Sequence, residues 1–312
     1  MALALALVCL SACGRGSQDS NDGWNSDSFD ADTGIIHGRS VTNRDQIGKT
    51  VVALVAQNQS GQALCTGSII SEDTILTAAH CVDHDIQELV VVFGQRVRGV
   101  KPENIRKAVS FVQNPRWKKS SDTTEEGNPR GTRGHAAKPK GRGDLALVHF
   151  EGGLPSGYQA VELAGRGEAL DKDMSIVMVG YGVTDGVTSK GSGVLRETQT
   201  TLIGSHSATE FITDGQQSSV CFGDSGGPAF IEDGGHYVQI GVASSVMNQS
   251  CNQASVHTSV MGYGSWIKSA SARLRKGSST HSRSQSRLKK GKKRGRSDDG
   301  DDDNDEDSKD ND

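Results

Sequence analysis

Eight residues in the C-terminal half, Cys221-Phe222-Gly223-Asp224-Ser225-Gly226-Gly227-Pro228, constrain this chain more than any other stretch. A serine flanked by glycines can present its hydroxyl at a crowded turn, because glycine enters backbone conformations closed to other residues. The amide N–H groups beside it can then face a developing negative charge. An exposed oxygen and a ready oxyanion hole are two requirements of an acyl-transfer nucleophile. The octet also fits the looser Gly-x-Ser-x-Gly spacing, so more than one Ser-centred hydrolase architecture stays open at this point.

Chain order separates the alternatives. In an α/β-hydrolase the acid and the histidine follow the serine, whereas in a second arrangement histidine and then aspartate precede it. Here Leu76-Thr77-Ala78-Ala79-His80-Cys81 and Gly143-Asp144-Leu145-Ala146-Leu147-Val148 both lie upstream, giving the order His80, Asp144, Ser225 with gaps of 64 and 81 residues. With these three motifs in this order the sequence resembles the trypsin/chymotrypsin family of serine proteases, from about residue 35 to 270. The likeness is to a bacterial-type, exported member.

The resemblance implies an all-β fold of two antiparallel six-stranded barrels, with the active site in the cleft between them and a short C-terminal helix. The first barrel is expected over 35–150 and the second over 151–271. Alternating and apolar runs at 51–56, 66–70, 74–77, 89–94, 109–112, 174–181 and 237–243 read as strands. Residues 117–142, rich in Gly, Lys, Arg, Ser and Thr, read as a surface loop inserted before Asp144. Tyr263-Gly264-Ser265-Trp266-Ile267 resembles the start of the closing helix.

Roles carry over by position. Ser225 is the expected nucleophile, His80 the general base and acid, and Asp144 the group that fixes the imidazole. The N–H groups of Gly223 and Ser225 are the expected oxyanion hole, and no metal or organic cofactor is needed. Gly34-Ile35-Ile36-His37-Gly38 resembles an activation site, where cutting before Ile35 frees an ammonium group that pairs with Asp224. His37 stands where the family usually has Gly, and Gly34 rather than Arg or Lys precedes the cut. Ser219, six residues before the nucleophile, stands where trypsin-like members carry an aspartate. With Ser244, Val246 and Ser255 as further pocket residues, the expected preference is for small or medium apolar side chains before the cut.

Composition adds the compartment. Of six Cys, four are expected to pair as the family's disulfides Cys65–Cys81 and Cys221–Cys251, which argues for an oxidising environment. Residues 1–13 read as an export signal, and Leu10-Ser11-Ala12-Cys13 resembles a lipobox that makes Cys13 a lipidation candidate. A plain cleaved signal peptide is the other reading. Residues 14–34 read as a polar tether or propeptide, so the protein is expected to be secreted or anchored at the bacterial surface or periplasm.

The net charge of −4 hides opposed blocks: residues 273–296 hold eleven Lys or Arg, and 298–312 hold ten Asp or Glu. The segment 272–312 is expected to be disordered, its basic part able to meet anionic surfaces. Protein or peptide substrates, an activating protease, a monomeric state and no specific nucleic acid complete the expectations. Two competing readings remain: a catalytically silent, zymogen-like homologue used for binding, and an esterase with His236 or His257 as base and Asp233 as acid.

Overall fold

The computed structural model describes residues 35–42, 44–82, 85–117 and 142–276. The signal and tether at 1–34 with Cys13, residues 118–141 of the inserted loop, and the tail from 277 onward lie outside the described residues.

Two rings of antiparallel strands make the fold. The first is built from β2 (Val51–Asn58), β3 (Gly61–Ser71), β4 (Thr74–Thr77), β5 (Glu88–Val92), β6 (Ile105–Gln113) and β7 (Ala146–Phe150). It closes in the order β2-β3-β4-β7-β6-β5 through the pairing of β2 with β5. The second uses β9 (Ser175–Gly180), β10 (Arg196–Ser207), β11 (Glu210–Thr213), β12 (Pro228–Asp233), β13 (His236–Val246) and β14 (Ser255–Ser259). Pairing of β9 with β10 closes that ring. Two short strands sit at its edges: β1 (Arg39–Ser40) on β10, and β8 (Glu162–Leu163) parallel to β13.

The uninterrupted apolar run of β2 has a structural cause. Successive side chains of a strand point to opposite faces. Val52, Leu54 and Ala56 fill the first barrel with Ile69, Ile75, Val91, Val148 and Phe150. Val51, Ala53 and Val55 point outward into a second cluster with Val177, Val179, Tyr181 and Phe230 of the other barrel. β9 is divided the same way, Ile176 and Met178 facing its own barrel's core. The two rings are therefore joined by apolar packing, in which each fully buried Val or Leu contributes roughly 1.5–3 kcal/mol.

The last element of the described residues is helix α1 over 264–276. Ile267 and Ala270 are buried in the second barrel's core, with Trp266 and Leu274 packed against it, a helical repeat of apolar positions. The sequence reading ended the domain at 271, but Leu274 carries the packed helix to 276, and the basic segment starts on its last turn.

Two disulfides brace the fold, Cys65–Cys81 and Cys221–Cys251. The second closes a loop with a sequence separation of 30 residues beside the serine turn. Replacing both of its cysteines with Ala is expected to lower the unfolding free energy by roughly 3–4 kcal/mol, read by urea denaturation. A loss under about 1 kcal/mol would mean the loop is held by its other contacts alone.

Candidate active site

His80, Asp144 and Ser225 come from separate elements that converge where the barrels meet. β4 delivers His80 into a single turn of 3₁₀-helix, Ala79–Val82. Asp144 lies two residues before the start of β7 and is 1% exposed, so its carboxylate has to be satisfied from within. It is. Oδ1 accepts the backbone N–H of His80 at 3.1 Å, and Oδ2 accepts His80 Nδ1–H at 2.8 Å and the Ser244 hydroxyl at 2.6 Å. The carboxylate thus assigns the proton to Nδ1 and leaves the other ring nitrogen able to accept one.

Burial works against an imidazolium at His80, but the hydrogen bond and the charge of Asp144 outweigh it and raise the pKa above its usual value. The imidazole keeps 34% of its surface open to the cleft. The Cys65–Cys81 sulfurs lie within 4.8 Å of its ring nitrogen. They are bonded to each other, so this grouping is a disulfide packed beside the ring.

Ser225 sits in a turn shaped by two glycines with positive φ, Gly223 at 97° and Gly226 at 83°. The first barrel grips this turn: Thr66 N–H donates to Ser225 O at 2.9 Å, and the Thr66 hydroxyl to Gly223 O at 2.9 Å. Within the turn the N–H groups of Asp224, Gly226 and Gly227 donate to carbonyls. Those of Gly223 and Ser225 make no hydrogen bond among the described residues.

Asp224 points inward and is fully buried, accepting Gly182 N–H at 2.7 Å and Cys221 N–H at 2.8 Å. Burial pushes its pKa up to about 7, against those two amides and the charge of Arg196. The Gly180-Tyr181-Gly182 sequence is explained here. A Cβ at Gly180 would stand 2.1 Å from Asp224 Oδ1, and one at Gly182 would stand 2.4 Å from the same carboxyl group.

Ile35 is fully buried, and Ile36 N–H donates to Ser219 O at 3.1 Å. His37 adopts φ 59°, the left-handed region that glycine enters without a Cβ penalty. Its ring nitrogen meets Gln217 O at 2.7 Å.

A cleft of about 460 Å³ opens beside His80 and Ser225. Ser244 and Val246 line it together with Val220, Phe222, Ala243, Ser245, Met247, Asn248 and Gln249. Ser219 and Ser255 do not. Both are fully buried; the Ser219 hydroxyl is turned onto Cys251 O, and Ser255 pairs with Val246 and Thr213 in the sheet. Sequence reasoning missed Phe222 and Met247, 45% and 48% exposed, whose only signal was an apolar residue beside the nucleophile motif and beside Val246.

The remaining histidines have other places. His257 is fully buried, stacked on Phe211 and 2.9 Å from the Thr213 hydroxyl, and burial pushes its pKa down to about 3. His236 opens β13 and pairs across the hairpin with Asp233. Two antiparallel barrels replace the alternating strand–helix order that an α/β-hydrolase esterase needs.

Known proteins agree with this architecture. The solved structure of HL collagenase superposes with a TM-score of 0.61 at 21% identity, covering 76% of this chain and 99% of that one. Chymotrypsin-like elastase family member 1 of Bos taurus is 26% identical over 76% of this chain and 96% of its own. Fibrinolytic enzyme isozyme C of Lumbricus rubellus is 27% identical, over 69% and 92% respectively. Trypsin theta of Drosophila melanogaster is 38% identical over a shorter stretch, 26% of this chain and 29% of that protein. The trypsin family profile matches residues 35–267, most of the chain and both barrels. A chain so matched, with chymotrypsin-like relatives along its length, belongs to the trypsin family of serine proteases.

Proposed function

We propose that this protein is an active serine endopeptidase that hydrolyses peptide bonds through an acyl-enzyme. The reading rests on one observation: the buried Asp144 carboxylate lies 2.8 Å from His80 Nδ1, with Ser225 in the same cleft. Ser225 Oγ attacks the scissile carbonyl carbon while the free ring nitrogen of His80 takes its proton. The tetrahedral oxyanion is held by Gly223 and Ser225 N–H, each such donor being worth roughly 3 kcal/mol. His80 then returns the proton to the leaving amine, and water repeats the sequence on the ester. Asp144 holds the tautomer and stabilises the imidazolium between these steps.

Substrates are proteins or peptides, with small or medium apolar side chains before the cut. No carboxylate is among the described residues lining the cleft, which removes a partner for Lys or Arg. Val246 and Met247 supply an apolar wall. Cutting ahead of Ile35 places its new ammonium group with Asp224. The two disulfides favour an exported protein. Lipidation at Cys13 and contact of the basic segment 289–294 with anionic surfaces belong to the same proposal.

The test uses the full chain cut ahead of Ile35 and treated with a fluorophosphonate beside its Ser225→Ala twin. One adduct by intact mass, absent from the twin, is the expected result; no adduct on folded, disulfide-bonded protein overturns the reading. Chromogenic peptides with Ala, Val, Phe or Arg before the cut then rank specificity. Fastest cleavage after Arg would reject the apolar pocket.

A further inference from the structure

Asp224 poses an electrostatic problem in the uncut chain. Its carboxylate is fully buried, and two backbone amides orient it without neutralising it. A buried carboxylate left without a counter-charge is strongly destabilising. While residue 34 is still attached, the nitrogen of Ile35 is an uncharged amide.

A cation stands on the correct face. Arg196 opens β10, lies directly opposite Gly180 of β9, and is 5% exposed. Residues directly opposite in an antiparallel ladder point to the same face, with Cβ positions about 5 Å apart. The face that Gly180 presents is the one Asp224 occupies, since a Cβ there would stand 2.1 Å from Asp224 Oδ1. The Arg196 stem therefore leaves the sheet on the side of the buried carboxylate, with Nη1 also 3.5 Å from Val194 O. Glu197, the next residue, faces the other way and is bonded to Arg39. The guanidinium stays charged at any working pH. Its charge opposes the rise in the Asp224 pKa that burial produces.

We propose that Arg196 is a positioning residue which supplies the positive charge for Asp224 in the uncut chain, making the protease active as a single chain. The proposal rests on the endopeptidase reading above. With Asp224 held, the turn from Cys221 to Gly227 keeps its shape, and with it the free N–H groups of Gly223 and Ser225. Two other observations agree. Ile35 is already fully buried and Ile36 already paired with Ser219. Gly34 gives a protease that cuts after basic residues nothing to recognise.

The test compares four samples by rate of fluorophosphonate labelling and turnover of a peptide ester. They are the wild-type full chain and its Arg196→Gln variant, each intact and each after cutting. Cutting is made specific by exchanging residues 30–34 for a processing sequence that is cleaved just before Ile35, and intact mass verifies each state. The intact wild type is expected to react, and intact Arg196→Gln to react about a hundredfold more slowly, the loss of an ordered oxyanion donor. Cutting the variant should restore the rate, because the new ammonium group then supplies the missing charge. Arg196→Lys should keep most of the intact rate.

Two results would overturn the proposal. One is an intact wild type that is silent while the cut form reacts. The other is an Arg196→Gln variant that is equally slow before and after cutting. Silence of both wild-type forms would instead sink the endopeptidase reading, and the proposal with it.

Discussion

Exchanging Asp144 for Asn is expected to lower kcat by about 10⁴-fold while the protein stays folded. The carboxylate accepts three hydrogen bonds, from His80 N–H, His80 Nδ1–H and the Ser244 hydroxyl. An amide has one accepting oxygen, so it cannot serve both sides of the site. An NH₂ group turned toward Nδ1 demands the opposite tautomer, and the other ring nitrogen then carries the proton that the proposed mechanism needs it to receive.

The pH profile separates this from a structural defect. Catalysis needs neutral His80, so kcat/KM rises as pH passes upward through its pKa. In the wild type, burial lowers that pKa, but Asp144 more than reverses it and the net shift is upward from 6.5. Without the carboxylate charge only burial is left, and the acid limb should move to lower pH. The check is kcat/KM of Asp144→Asn measured between about pH 5 and 9. An acid limb that stays in place, or one that moves upward, would reject the assigned role.

Gly226→Ala is expected to lower stability by roughly 3–5 kcal/mol, with a fall in Tm of about 10 °C. A Cβ there would stand 2.0 Å from the Thr77 hydroxyl, 2.3 Å from Thr66 O and 2.9 Å from Ala78 N. Two of those three atoms are backbone and cannot swing aside. The residue also holds φ 83°, strained for any side chain. Gly234→Ala is the control, with φ 57° but open space around it, so it carries strain without a clash, about 1–2 kcal/mol. Thermal denaturation of the pair decides. If Gly226→Ala melts no lower than Gly234→Ala, close approach of the first barrel to the serine turn is not what holds that position.

That Ser225, His80 and Asp144 share one cleft was legible, because each sits in a local motif and the three come in a set order. The barrels were legible in part. The run at 51–56 reads as buried strand whatever packs on it, whereas β10 carries Thr200, Thr201 and Ser205 at partly or fully exposed positions and shows no apolar run to read. Pocket depth was not legible from spacing. Ser219 sits six residues before the nucleophile, but its hydroxyl is turned by the carbonyl that the Cys221–Cys251 bridge brings alongside. Nothing in the residues around Arg196 marks it as a neighbour of Asp224. Only register, set by how β9 meets β10, places it opposite Gly180.

The cleft chemistry is assembled from two separately closed rings. Asp144 and His80 belong to the first, Ser244 and Ser225 to the second, and Thr66 bridges them to the serine turn. Each ring keeps its own ladder of hydrogen bonds if the apolar seam between β2 and β9 slackens, but the carboxylate loses the Ser244 hydroxyl and the serine turn loses Thr66. On the endopeptidase reading, loosening of that seam is therefore expected to abolish fluorophosphonate labelling before it lowers strand content. A ligand bound across both halves would hold the seam closed, so binding is expected to raise the stability of the paired rings.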